Sequence, residues 1–174
     1  AYRYNGVNLA MADTAKNNYF CGEAGNLSMT GTSNVGTGFY ALAANTDGSG
    51  NVAYGGGALR FNNRGFKNTA VGQWSLTTGA GLAANENTAI GYQSGNNLLT
   101  GSSNVFVGSS AGYGAANYTL ANQNTIIGAY AGSGINNNQY GNVFLGYQAG
   151  ASETGSNKLI IANYLLHGLD YRSK

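Results

Sequence analysis

The chain has 174 residues, a formal net charge of +2 and only 8% charged side chains, where a soluble protein usually has about a quarter. With 43% hydrophobic residues, 29 Gly, no Pro and a single Cys, it is neither collagen, nor a disulfide scaffold, nor a simple disordered linker. No apolar run approaches the roughly 20 residues of a membrane-spanning helix, and the charge is too small and scattered for a nucleic-acid footprint.

In chain order, residues 1–16 come first and stand apart. Tyr2-Arg3-Tyr4-Asn5-Gly6-Val7-Asn8-Leu9 alternates and contains Asn-Gly, so it reads as a strand or hairpin. It either caps the open end of a roll formed by residues 17–163, or pairs with the next molecule as a donated strand and builds a filament.

A repeat fills residues 17–163. Units open at Asn18, Asn34, Asn51, Asn68, Asn87, Asn104, Asn124, Asn142 and Asn157, at intervals of 15 to 20 residues. Typical units read N-T-A-I-G-Y-Q-S-G from Asn87 and N-V-F-L-G-Y-Q-A-G from Asn142; the units from Asn34, Asn51 and Asn68 end in Leu instead of Gly. The opening Asn suits a turn. The next three residues favour a short strand, and the Gly at position 5 allows a bend or a close backbone approach. A small residue recurs at position 8, in Ala41, Ala58, Ser75, Ser94, Ala111, Ala131 and Ala149, which implies a crowded interior site. The variable polar tails read as a second short strand plus a surface loop. Such a unit cannot bury a core alone, so the units must stack at about 4.8 Å per strand into an all-β parallel β-solenoid of about nine short coils. Residues 164–174 read as a C-terminal cap or connector.

Adjacent strand residues face opposite ways. Position 4 (Val71, Ile90, Val107, Ile127, Leu145) reads as the coil filling. Position 3 would then point outward, and it is apolar too: Phe106, Ile126, Phe144 and Leu159 are its largest members. These four are the expected oligomer interface, tightening toward the C-terminus. The alternative is a wider coil with both columns inside.

The units N-T-A-I-G-Y-Q-S-G and N-V-F-L-G-Y-Q-A-G resemble the head repeats of YadA-like trimeric autotransporter adhesins, and equally the repeats of phage tail fibres and large bacterial surface proteins. The resemblance covers about residues 18–163. It implies a left-handed β-roll, a homotrimer and an extracellular place on a cell surface or virion fibre. It also implies a structural or adhesive role that touches host receptors or surface polysaccharide. The alternatives from other classes are a self-assembling filament subunit, stacked through the N-terminal strand, and a carbohydrate-cleaving tail spike.

Catalytic chemistry is thin. The six acids, Asp13, Glu23, Asp47, Glu86, Glu153 and Asp170, share no repeat position in adjacent coils, so no carboxylate pair for glycoside hydrolysis is evident. His167 and Cys21 are each the sole residue of their kind, which leaves no zinc set. No enzyme activity, metal or cofactor is expected, and Cys21 at position 4 reads as a buried small residue. Two surface features remain. Trp74, Tyr92, Tyr130 and Tyr147 follow the repeat Gly and could form an exposed ladder for sugars or proteins. Arg60, Arg64 and Lys67 share one tail and could meet an anionic polysaccharide.

Overall fold

The computed structural model describes residues 2–4, 7–77, 84–114, 121–134 and 139–162, with side chains from residue 10 onward. Its strands form one eleven-stranded sheet in sequence order. β1 (Tyr2–Tyr4) and β2 (Val7–Asp13) come first, then β3 (Asn18–Cys21), β4 (Val35–Thr37), β5 (Val52–Tyr54) and β6 (Thr69–Val71). β7 (Thr88–Ile90), β8 (Val105–Val107), β9 (Thr125–Ile127), β10 (Val143–Leu145) and β11 (Leu159–Ile161) complete it. From β3 to β11 every neighbour is parallel and in register, Val71 on Ile90 and Ile90 on Val107. No helix occurs among the described residues. The protein is a parallel β-solenoid, one strand per coil.

The register rests on the asparagines. Asn18, Asn34, Asn51, Asn68, Asn87, Asn104, Asn124 and Asn142 are all buried. Each Oδ1 accepts the backbone N–H of the residue one coil on: Asn104 N–H to Asn87 Oδ1 is 3.0 Å, and Asn124 N–H to Asn104 Oδ1 is 3.0 Å. The side-chain amide of Asn104 donates to the same Asn87 Oδ1 at 2.9 Å and to the Ala121 carbonyl at 2.8 Å. The ladder thus ties each strand both to the coil before it and to the end of its own coil. The opening Asn is therefore not the turn residue expected from its local preferences. It is a buried polar column, satisfied only by stacking.

That finding reverses the expected orientation of the strand. With position 1 inside, period-two alternation puts position 3 inside and positions 2 and 4 outside. Ala53, Ala70, Ala89, Phe106, Ile126 and Phe144 are indeed in the core, at 0 to 1% exposure. Phe106, Ile126 and Phe144 are thus not an oligomer interface; they fill their own coil. Leu159 is exposed, but it pairs with Val143 and so stands at position 2. The last unit is therefore in register from Lys158, whose backbone N–H bonds Asn142 Oδ1 at 2.9 Å, and not from Asn157. Cys21, at position 4, is exposed rather than buried.

The growth of position 3 toward the C-terminus also has an internal cause. Coils with Gly36, Ala53 or Ala70 at position 3 carry buried Leu42, Leu59 or Leu76 at position 9. Coils with Phe106 or Phe144 carry Gly112 or Gly150 there. A Cβ on Gly112 would lie 2.2 Å from the Phe106 ring, and one on Gly150 2.5 Å from the Phe144 ring. A large side chain enters each of these coils from one side or the other. Position 9 is left-handed in either case, at φ +55 for Leu42 and +62 for Gly112.

Other expectations hold. The small residues at position 8, Ala41 to Ala149, are all fully buried. At position 5 a Cβ on Gly91 would sit 2.5 Å from the Gly108 carbonyl oxygen of the next coil, at φ +135, so the backbones there approach too closely for any side chain. The tails differ from expectation. Beyond the isolated bridges Asn85 to Ser102 and Asn122 to Tyr140, they form no second sheet among the described residues. At the other end β2 runs antiparallel on β3, and β1 antiparallel on β2, so the N-terminal segment caps its own solenoid. The expected C-terminal cap, residues 164–174 with His167, lies outside the described residues.

Two outcomes check this packing. Asn104→Ala leaves the Asn87 and Ala121 oxygens and the Asn124 donors short of partners. It should cost about 3 kcal/mol or more in urea unfolding; a loss under about 1 kcal/mol would contradict the ladder. Phe106→Ala and Gly112→Leu should each destabilise by roughly 2 to 5 kcal/mol. The double variant should recover at least about 1 kcal/mol of the sum; strict additivity would refute the compensation.

Candidate interaction surface

Positions 2 and 4 build the outer face of the sheet. Position 2 holds Val35, Val52, Thr69, Thr88, Val105, Thr125, Val143 and Leu159; position 4 holds Thr37, Tyr54, Val71, Ile90, Val107, Ile127, Leu145 and Ile161. Both columns are exposed or half-exposed, with Ile90 at 43%, Leu145 at 43% and Ile161 at 70%. No charged side chain occurs at either position in β3–β11. A single-chain sheet normally turns polar residues toward water, so a continuous apolar column on the wet face is a departure. A second apolar column is what the sequence led us to expect, but on the opposite parity.

The chain bends at the position-5 Gly, and the aromatics come one residue (Tyr92, Tyr147) or two residues (Trp74, Tyr130) after it. Trp74, Tyr92, Tyr130 and Tyr147 are exposed at 45 to 47%, with Phe39 and Tyr40 beside the second coil. They do not form one flat rail. The Tyr130 and Tyr147 rings meet edge-on, with centroids 6.2 Å apart at 85°, and Phe39 and Tyr40 are tilted by 42°. The Trp74 ring covers the Cα of Gly57, where a Cβ would lie 2.6 Å away. One edge-to-face pair and one tilted pair present a ridged surface rather than a flat one, better suited to side-chain packing than to the flat face of a sugar chain.

The three cations of the shared tail do not converge. Arg60 stacks over Tyr40 and Phe61, 4.5 and 4.8 Å from their centroids. Arg64 lies 3.8 Å from Asp47, and Lys67 is 3.2 Å from Glu86 on the next coil. Each is engaged locally and exposed or half-exposed, so they hold no common anion cradle.

Nor do the acids assemble among the described residues, outside which Asp170 lies. Asp13 pairs with Lys16 at 3.1 Å, and no group of three His, Cys, Asp or Glu that could hold a metal ion occurs among the described residues. The side-chain hydrogen bond from Lys16 holds the Asp13 carboxyl below its ordinary value. The Glu153 carboxyl is also lowered, first by the Gly155 N–H and then by the Thr154 N–H, each at 2.9 Å, with Lys158 adding its charge. A groove of about 460 Å³ lies along the neighbouring strands β2, β3 and β4, between Met11, Tyr19, Phe20, Val35 and Gly36; no carboxylate, imidazole or cation lines it. No helix among the described residues is long and apolar enough to cross a membrane.

No family model, curated protein or solved structure matches this chain.

The lowered carboxylates set the sign of the pH response. A depressed acid stabilises the fold above its unfolded value and loses that contribution as pH falls through its folded value. The urea midpoint should therefore stay level from about pH 8 to 5 and decline slightly below about pH 4. Glu153→Gln should blunt that decline. A midpoint that rises on acidification would contradict the assignment.

Proposed function

We propose that this chain is a non-enzymatic extracellular fibre module, a homotrimer of side-by-side solenoids that holds polar tails outward for attachment to surface glycans or proteins. The observation that carries the reading is the exposed, charge-free apolar face along the whole solenoid. It lacks the polar coat of a free-standing sheet and costs little to desolvate on association. The ladder repeats the same hydrogen bonds from coil to coil, while the tails, including the one with Arg60, Arg64 and Lys67, vary without disturbing it. A filament built by strand donation has less support, because β1 and β2 are already paired within their own chain. A tail spike that cleaves carbohydrate needs paired carboxylates, and Asp13, Asp47 and Glu86 each sit against a cation of their own.

Sedimentation equilibrium at micromolar concentration tests the reading. The expected mass is three times the 17.8 kDa of one chain. A stable monomer would overturn it.

A further inference from the structure

We infer that a notch on the coil opened by Asn51, floored by Gly56-Gly57 and edged by Arg60, docks an acidic segment of a partner protein. One large side chain of that segment enters the notch, and a neighbouring carboxylate meets the Arg60 guanidinium. The inference rests on the attachment role proposed above and commits it to a protein partner. The notch lies past the bend at the position-5 Gly, and so outside the apolar sheet face.

The floor is the first observation. Position 6 carries Phe39, Gln73, Tyr92 and Tyr147 in four other coils, and Ser109 or Ala129 in the rest from β4 to β10; only the β5 coil has Gly, at Gly56. Neither conformation nor space requires it. The φ of Gly56 is not left-handed, and a Cβ there would lie 3.9 Å from the Phe39 carbonyl oxygen and 4.0 Å from Gln73 Cγ, which is ordinary contact. A glycine without such a cause loses extra conformational entropy on folding, and it suits a place where a ligand comes close to the backbone. Gly57 differs, with φ +69 and the Trp74 ring lying over it. The missing side chain leaves Phe39 and Gln73 two strand spacings apart, roughly 9.6 Å, a gap one side chain wide. Phe39 and Tyr40 wall it on one side and Trp74 on the other, all three exposed.

Arg60 is the second observation. Its guanidinium lies 4.5 Å from the Tyr40 centroid, and the Tyr40 ring lies 3.8 Å from that of Phe39, so cation and rings form one continuous wall. Among the described residues Lys16, Arg64 and Lys67 each pair with a carboxylate, whereas Arg60 pairs with none. Stacking between Tyr40 and Phe61 fixes the guanidinium plane and leaves its N–H edge for a carboxylate from outside. Two parallel charge-assisted bonds to one carboxylate suit that edge. An uncompensated, half-buried cation beside exposed rings is complementary to an acidic partner. The tilt of Phe39 on Tyr40 favours a side chain over a sugar face, which selects a protein over an acidic glycan. Trp, Tyr and Arg are also the residues that most often carry the energy of protein–protein binding.

The test titrates the full chain with the end-capped pentapeptide Gly-Asp-Phe-Asp-Gly. Emission of Trp74, the sole Trp of the chain, reads binding. A saturable shift is expected with a Kd of about 1 mM or below. The uncharged peptide Gly-Asn-Phe-Asn-Gly should bind at least roughly 10-fold more weakly, and the acidic peptide should lose as much on Arg60→Gln and on Gly56→Tyr. Gly56→Tyr copies what position 6 already holds at Tyr92 and Tyr147, so it fills the notch and keeps the fold, which far-UV circular dichroism checks. Arg64→Gln removes a paired cation from the same tail and should match the parent. The inference falls if the parent gives no saturable shift up to about 10 mM peptide. It falls equally if Arg60→Gln or Gly56→Tyr binds like the parent, if Arg64→Gln loses as much as Arg60→Gln, or if trigalacturonate binds more tightly than the peptide. The sedimentation mass tests the fibre reading separately: a trimer upholds it in each of these cases, and a monomer overturns it whatever the peptide does.

Discussion

The fold depends on one buried interaction, the hydrogen bond from each position-1 asparagine to the asparagine one coil away. An uncompensated amide in the interior costs a few kcal/mol, so the position tolerates Asn only because the stack supplies its partners. Each Oδ1 takes a backbone N–H from the neighbouring strand, and each Nδ2 reaches a tail carbonyl. Strand spacing, register and coil closure are thereby set together. A slip of one residue would expose the whole ladder and bury the outer face.

Parity follows from the ladder, and volume follows from parity. Once position 3 points inward, each coil has a fixed space to fill. Phe106 and Phe144 fill it from the strand, while Leu42, Leu59 and Leu76 fill it from position 9; the coil with Ala89 and Gly95 is filled by Phe106 and Leu76 reaching in from the coils on either side. The Gly residues opposite the Phe rings are then steric necessities, as the 2.2 Å approach at Gly112 shows. The outward columns are left with no internal partner at all.

Much of this was legible in the residues. The period, the short strand, the close approach at the position-5 Gly and the small residues at position 8 follow from local chemistry repeated along the chain. The inside and outside of the strand did not, because Asn has strong turn preferences in isolation. Its buried role exists only between coils, where a single unit carries no trace of it. Leu at position 9 of the earlier units and Gly at position 9 of the later ones was a usable sign. Set against position 3, it marks both positions as one cavity and places Phe106 and Phe144 inside. The cationic tail misled for another reason: Arg60, Arg64 and Lys67 are near in sequence, yet each finds a ring or a carboxylate on its own or a neighbouring coil.

The most direct test of the ladder is hydrogen exchange of the asparagine side-chain amides, read by NMR. The Nδ2 protons of Asn51, Asn68, Asn87, Asn104 and Asn124 should be slowed by several orders of magnitude relative to the exposed Asn17 and Asn157. Exchange of the position-1 amides at the rate of Asn17 would mean that the column is wet, and the account of register and parity built on it would fail.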